Sequence, residues 1–124
     1  MSTYYKVHFD FTLLENIDPN IVDLIKVILG VGCGGAELPN HVFFKDDGYL
    51  IAFNHSGDDN FNIKKVLNDR GGYRVLIFCE IKNYIHLIDE FIDWVSSYIN
   101  HYEKFIGYSL RECDDDPTIY SLRG

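Results

Sequence analysis

A chain of 124 residues, 47% hydrophobic and 15% aromatic, is long enough to bury a core of its own without disulfide or metal staples, and it reads as one domain over residues 1–124. Its 19 acidic against 11 basic residues give a formal charge of −8, a field that repels phosphate backbones and argues against direct nucleic-acid binding. No apolar run approaches the roughly 20 residues of a membrane helix, and the opening MSTYYKVHFDF lacks the basic and apolar regions of a secretory signal, so a membrane partner is not expected.

The first element, YYKVHFDFTLL, alternates strictly. Tyr5, Val7, Phe9, Phe11 and Leu13 share one face and Lys6, His8, Asp10 and Thr12 the other, the pattern of a half-buried strand. DPNIVDLIKVILG follows as a helix, with Asp18 as its cap, Pro19 in the first position, Ile21, Leu24, Ile25 and Ile28 at helical spacing, and Gly30 closing it. After a loop through GCGGAELPN, the stretch HVFFKDDGYLIAFN reads as a hairpin, since two apolar runs flank the Asp47-Gly48 turn signal. FNIKKVLNDRGGYRVLIFCEIK reads as a second hairpin turning at NDRGG, with Tyr73, Val75, Ile77, Cys79 and Ile81 on one face; residues 61–67 also suit a short helix. NYIHLIDEFIDWVSSYIN is a second long helix, with Asn83 as its cap and Tyr84, Leu87, Ile88, Phe91, Trp94, Val95 and Tyr98 as its apolar stripe. The chain closes with a strand in KFIGYSLREC, an acidic turn and a short strand in PTIYSL.

The expected order is therefore β-α-ββ-ββ-α-ββ. Half-buried strands joined by tight turns, with two amphipathic helices between them, predict an α+β two-layer sandwich: an antiparallel sheet with both helices on one face, ferredoxin-like or related. A parallel doubly wound sheet does not fit, because helical crossovers are too few.

Residues 30–35, GVGCGG, match the letters of a G-x-G-x-x-G dinucleotide fingerprint. That fingerprint follows a strand and opens a helix. Here the glycines follow a helix and run into AELPN, where Pro39 opposes a new helix and Glu37 places negative charge where phosphate would sit. The stretch reads as a helix end and a crossover, and no cofactor is expected. His8, His41, His55, His86 and His101 lack H-E-x-x-H or Cys/His zinc spacing, and the acidic pairs Asp46-Asp47 and Asp58-Asp59 lack calcium-loop spacing, so no metal site is expected. His41 and His55 bracket the first predicted hairpin, close enough in that reading to meet. Cys33, Cys79 and Cys113 are an odd set without C-x-x-C spacing, which suits a reducing cytoplasm. Cys79 alternates with apolar neighbours and reads as core, Cys113 is dulled by Glu112 and Asp114, and no base neighbours Cys33. No catalytic residue is assigned.

The C-terminal third carries a resemblance. IKNYIHLIDEFIDWVSSYI followed by FIGYSLRECDDDPTIY resembles a family of small uncharacterised bacterial and phage-encoded proteins, in which a helix ends W-x-x-P-Y and is followed by G-Y-x-R-Y-E-E and a P-T-L-I-Y ending. Trp94, Tyr98, Gly107, Tyr108, Glu112, Pro117, Thr118 and Tyr120 match, and LPNHVFF at 38–44 is similar to that family's L-P-x-H-P-x-F. Ser97 stands in place of the proline, LREC replaces R-Y-E-E, and Arg111 is displaced from the family's arginine. The resemblance implies a compact domain in a phage or bacterial setting, and no reaction. On physical grounds Trp94 and Tyr98 are expected to pack on Ile106, Tyr108 and Leu110, leaving Thr118 and Tyr120 as exposed site candidates.

These features read as a small acidic interaction protein, non-enzymatic, that binds and inhibits a macromolecular partner in the manner of immunity proteins or phage inhibitors of host defence. Glu112, Asp114, Asp115, Asp116 and Tyr120 are the expected contact residues for a protein partner with a basic surface. The alternative is a small-molecule or nucleotide-derivative binding domain, or an enzyme built on one, with a pocket near the Gly30–Asn40 loop that uses His41, Glu37 and tyrosines. A homodimeric module with an aromatic self-contact is a third reading.

Overall fold

A computed structural model describes residues 4–32, 37–53, 62–69, 72–82, 85–100, 105–111 and 116–121. Five strands, β1 (Tyr4–Thr12), β2 (Asn62–Asp69), β3 (Gly72–Lys82), β4 (Phe105–Arg111) and β5 (Thr118–Ser121), form one sheet in the order β2-β3-β1-β4-β5. Every pairing is antiparallel. β1 and β2 therefore run the same way with β3 between them, and β3 and β4 run the same way with β1 between them. Helix α1 (Pro19–Ile28) lies in the first of these split crossovers and α3 (Ile85–Val95) in the second. This is the ferredoxin-like arrangement, extended at one edge by β5.

The central strand sets the faces. Val7, Phe9 and Phe11 lie opposite Cys79, Ile77 and Val75 on one side, and Val7 and Phe9 lie opposite Ser109 and Gly107 on the other. All of these point to the same face, and the hydrophobic ones join the buried cluster that also holds Ile21, Leu24, Ile25 and Ile28 of α1 and Leu87, Ile88, Phe91, Trp94 and Val95 of α3. Both helices thus cover one face of the sheet. The alternation of β1 and β3 and the stripes of both helices lie as expected, with Tyr5 and Tyr73 only half-buried. Asn83 and Tyr84 lie outside the described residues.

Local chemistry fixes the ends of α1. Asp18 Oδ1 accepts from Asn20 N at 2.9 Å, and Pro19 occupies the first turn, where its missing N–H costs nothing. At the other end Gly30 takes φ 76°, and the Gly30 and Val31 amides donate to the Val27 and Lys26 carbonyls. This left-handed closure satisfies carbonyls that the last turn would otherwise leave open. Asn20 then clamps the returning loop, donating to the Glu37 carbonyl at 3.2 Å and accepting from its amide at 3.1 Å.

Residues 41–53 differ from the expected hairpin. Val42–Phe44 form a 3-10 turn and Gly48–Ile51 a short helix, α2. A strand sends neighbouring side chains to opposite faces, yet here the adjacent pairs Phe43-Phe44 and Ala52-Phe53 are all buried. Only a tightly coiled chain puts both members of each pair into the same core. Gly48 allows α2 to seat on α3, since a Cβ there would stand 2.7 Å from Leu87 Cδ2. Residues 62–69 are strand rather than helix, paired with β3 from Asn62↔Cys79 to Asp69↔Gly72; Arg70 and Gly71 of the turn lie outside the described residues. The element order is therefore β-α-α-ββ-α-ββ, with the short α2 in place of the first hairpin.

Gly107 is dictated by packing. It lies between Phe9 on β1 and Tyr120 on β5, and the Phe9 and Tyr120 rings approach to 5.3 Å. A Cβ on Gly107 would stand on the His8 carbonyl oxygen and the Phe9 ring. Because backbone as well as ring must shift, Gly107→Ala is expected to destabilise the protein by roughly 3 kcal/mol, at the upper end of ordinary overpacking, as read from urea midpoints at constant m-value.

Candidate functional site

The face of the sheet turned away from the helices carries its own row. Register places Ile63, Phe78, His8, Tyr108 and Ile119 side by side, one residue from each strand in the order β2-β3-β1-β4-β5. Phe78, His8 and Tyr108 are half-buried by one another, whereas the row ends in exposed Ile63 (45%) and Ile119 (55%). The His8 ring meets Phe78 edge-on at 5.4 Å and Tyr108 edge-on at 5.5 Å, so each aromatic orients the next. Leu76 and Leu110 lie on the same face beside this row, and Phe105, opposite Ser121 across a bulge, adds a side chain 57% exposed.

Charge on this face is mixed and ordered. Glu80 lies opposite Lys6, and Asp10 takes a two-pronged hydrogen bond from Arg74, at 2.8 Å from Nε and 2.6 Å from Nη2. That guanidinium bond outweighs the cost of partial burial and holds the Asp10 carboxyl below its ordinary value. The pair borders the aromatic row and fixes a polar margin. Exposed carboxylates of the opposite layer, Asp23 on α1 and Asp89 and Asp93 on α3, point away from it.

The expected contact residues part company. Asp116 is exposed, as is Thr118. Tyr120 is not: it is 9% exposed, its ring packs on Phe9, and its hydroxyl shares a 3.1 Å hydrogen bond with Ser109. Burial pushes its pKa up. Tyr120 is a core residue because β5 sets it opposite Gly107, where its ring fills the gap that the missing side chain leaves. Glu112, Asp114 and Asp115 lie outside the described residues, as do Cys33, His55, Asp58, Asp59, His101 and Cys113. Tyr108 and Leu110 are also corrected, since both lie on the face turned away from the helices, which no described element covers. The Trp94 ring packs on Phe44 at 4.9 Å, on Tyr98 at 5.5 Å and on Phe91 at 6.3 Å.

His41 serves the fold. Its Nδ1 accepts from the Phe43 amide at 3.1 Å and its Nε2 lies 2.8 Å from Asp93 Oδ2, so an imidazole carrying its proton on Nε2 caps the 3-10 turn and ties it to α3. Glu37 is exposed, and its backbone is held by Asn20. Near the start of the Gly30–Asn40 loop there is a surface cavity of about 320 Å³, lined by Lys26, Val31, Lys64, Lys65, Val66 and Leu67. Neither His41 nor Glu37 lines it. A helix precedes the GVGCGG glycines, and described residues 37–40 are not helical, so the elements around the motif are not those of a dinucleotide turn.

Among the described residues, no three His, Cys, Asp or Glu side chains gather into a group able to hold a metal ion, and no helix is long and apolar enough to cross a membrane. Comparison with protein-family models, curated proteins and solved structures finds no match for this chain.

Two chemical consequences are measurable. Asp10 has a folded-state pKa below its unfolded value, so its contribution to stability is complete above the unfolded value near pH 4 and is lost as pH falls through the lower folded value. The stability difference between wild type and Asp10→Asn is therefore expected to be flat from about pH 5 to 7, at roughly 0.5–1 kcal/mol for so exposed a pair, and to shrink below about pH 4 in urea melts. Burial pushes the Cys79 thiol up to about 12. Peptide mapping after iodoacetamide treatment at about pH 8 is expected to find Cys79 unmodified in the native protein and alkylated in denaturant.

Proposed function

We propose that this chain is a non-enzymatic interaction domain that binds a protein partner through the uncovered face of its sheet and inhibits it. The observation that supports this reading is the cross-strand row Ile63–Phe78–His8–Tyr108–Ile119, which leaves large apolar side chains at the surface on a rigid antiparallel scaffold. Aromatic anchors held by neighbours lose little freedom on binding, which is why such residues concentrate binding energy at interfaces. The polar margin of Lys6, Glu80, Asp10 and Arg74 supplies the rim that a protein contact requires.

The partner has an apolar patch beside lysines or arginines. Charge complementarity supports that choice: the chain carries −8, and the segment from Glu112 to Asp116 joins the two strands, β4 and β5, that end the row. Carboxylates there steer a basic partner onto the apolar face and raise its association rate more than its residence time. The resemblance of the C-terminal third to bacterial and phage-encoded proteins supports an inhibitor of the immunity or anti-defence kind.

The test is capture from a bacterial host with wild type and with Ile119→Asp as paired baits, followed by calorimetry and an activity assay on the captured protein. A partner retained by wild type is expected to lose at least tenfold in affinity with Ile119→Asp or Phe78→Ala. It is expected to associate several-fold more slowly at low salt with Asp114→Asn, Asp115→Asn and Asp116→Asn combined. A partner held equally by Ile119→Asp overturns the reading. So does a wild-type dimer that this substitution dissociates, or a face that binds single-stranded nucleic acid instead.

A further inference from the structure

The cavity beside α1 has a composition unlike the rest of the molecule. Three of its six lining residues are lysines, in a chain with 11 basic against 19 acidic residues, and none of the six is acidic. The remaining three, Val31, Val66 and Leu67, are aliphatic. Its position follows from topology. Residues 64–67 are consecutive in β2, so they alternate between the two faces of the sheet, and β3 occupies one side of the strand. A cavity that touches all four lies along the outer edge of β2, with Lys26 and Val31 from the end of α1 as its opposite wall.

Two further features shape the site for negative charge. In the last turn of α1 the Lys26 and Val27 carbonyls accept from the Val31 and Gly30 amides, so these two are not left open toward the cavity. Lys64 is placed by register on the core side, beside Ile77, and its Nζ donates to the Phe53 carbonyl at 3.1 Å. Partial burial pulls the Lys64 ammonium below its ordinary value, and a nearby anion offsets that cost.

We propose that this cavity is a binding site for a small organic anion, a carboxylate or phosphate group on a compact apolar body. Lys26 and Lys64 receive the charged group and Val31 and Val66 the body, while Lys65 and Leu67, on the opposite face of β2, border the cavity at the strand edge. The volume stands at the lower end of the range of small-ligand sites. The carboxylate and phosphate forms share this chemistry, and the probes separate them. The site adjoins the row's β2 end, since Lys65 and Leu67 share a face with Ile63, but its other wall does not. Lys26 and Val31 belong to the other layer, so substitutions there test it without touching that row.

The experiment is a titration of the folded protein followed by amide NMR, with hexanoate, phenyl phosphate, inorganic phosphate and hexanol as probes. Hexanoate or phenyl phosphate is expected to shift amides of Lys26, Val31 and Lys64–Leu67 in a saturable way, and the stronger of the two names the headgroup. Affinity is expected to fall at least fivefold in Lys26→Gln, further in Val31→Asp, and with added salt. Hexanol binding as tightly as hexanoate overturns the charge assignment, and inorganic phosphate binding as tightly as phenyl phosphate overturns the apolar half. No localised shift with either organic anion, or shifts unchanged in both variants, overturns the site. Val31 is 53% exposed, so its substitution leaves the fold intact, as the unshifted remainder of the spectrum checks. Partner capture by the uncovered face is expected to be unaffected by Lys26→Gln, so the two proposals fail separately.

Discussion

The contact of Phe9 with the bare backbone of Gly107 organises this molecule. Phe9 is fully buried at the middle of the central strand, and its ring lies where a Cβ on the neighbouring strand would stand. From that position it meets Tyr120 at 5.3 Å, Phe53 at 6.4 Å and Phe91 at 6.5 Å, which join it to β5, to the segment after α2 and to α3. One ring therefore locks sheet to helices and β4 to β1. Each such aromatic adds about 2–3 kcal/mol of burial, and the rings are further oriented by edge-to-face preference. Because the core depends on contacts made across the sheet, its inward face tolerates no shift in register, and the outward face is fixed as a consequence.

That consequence matters for function. With Phe9 and Phe11 directed inward, His8 and Asp10 are directed outward, and their cross-strand neighbours follow. The two layers differ in character: one side of the sheet is sealed under α1 and α3, while the other exposes an ordered aromatic row with a paired-charge margin. The same register sends Lys64 inward at the sheet edge, where it helps to line a lysine-rich cavity. Both surfaces are by-products of one pleat.

Much of this was legible in the residues themselves. β1 alternates without exception, and α1 announces itself through Asp18, Pro19 and Gly30, because caps and helical spacing are local matters. The stretch from His41 to Phe53 was not legible. An apolar run bounded by Asp-Gly suits a hairpin and a pair of tight turns equally, and only the demand that Phe43, Phe44 and Phe53 share one core decides between them. The uncovered row was partly legible. VLIFC in β3 is apolar at every position, which a strand with one solvated face does not need, so the run itself signals a second contact surface. Tyr120 misled because the acidic run Asp114–Asp116 lies just before it in sequence, whereas its hydroxyl is satisfied by Ser109, a residue of another strand.

The amino-acid pattern by itself determined the class of the fold, the extent of most of its elements and the inward residues of β1, β3, α1 and α3, because periodicity and capping act within a few residues of each other. Tertiary structure alone decided the strand order, the coiled course of residues 41–53, the burial of Tyr120 and the meeting of five strands' side chains in one exposed row. Those depend on which strands pair and in what register, and pairing is a contest among long-range contacts that no local window contains.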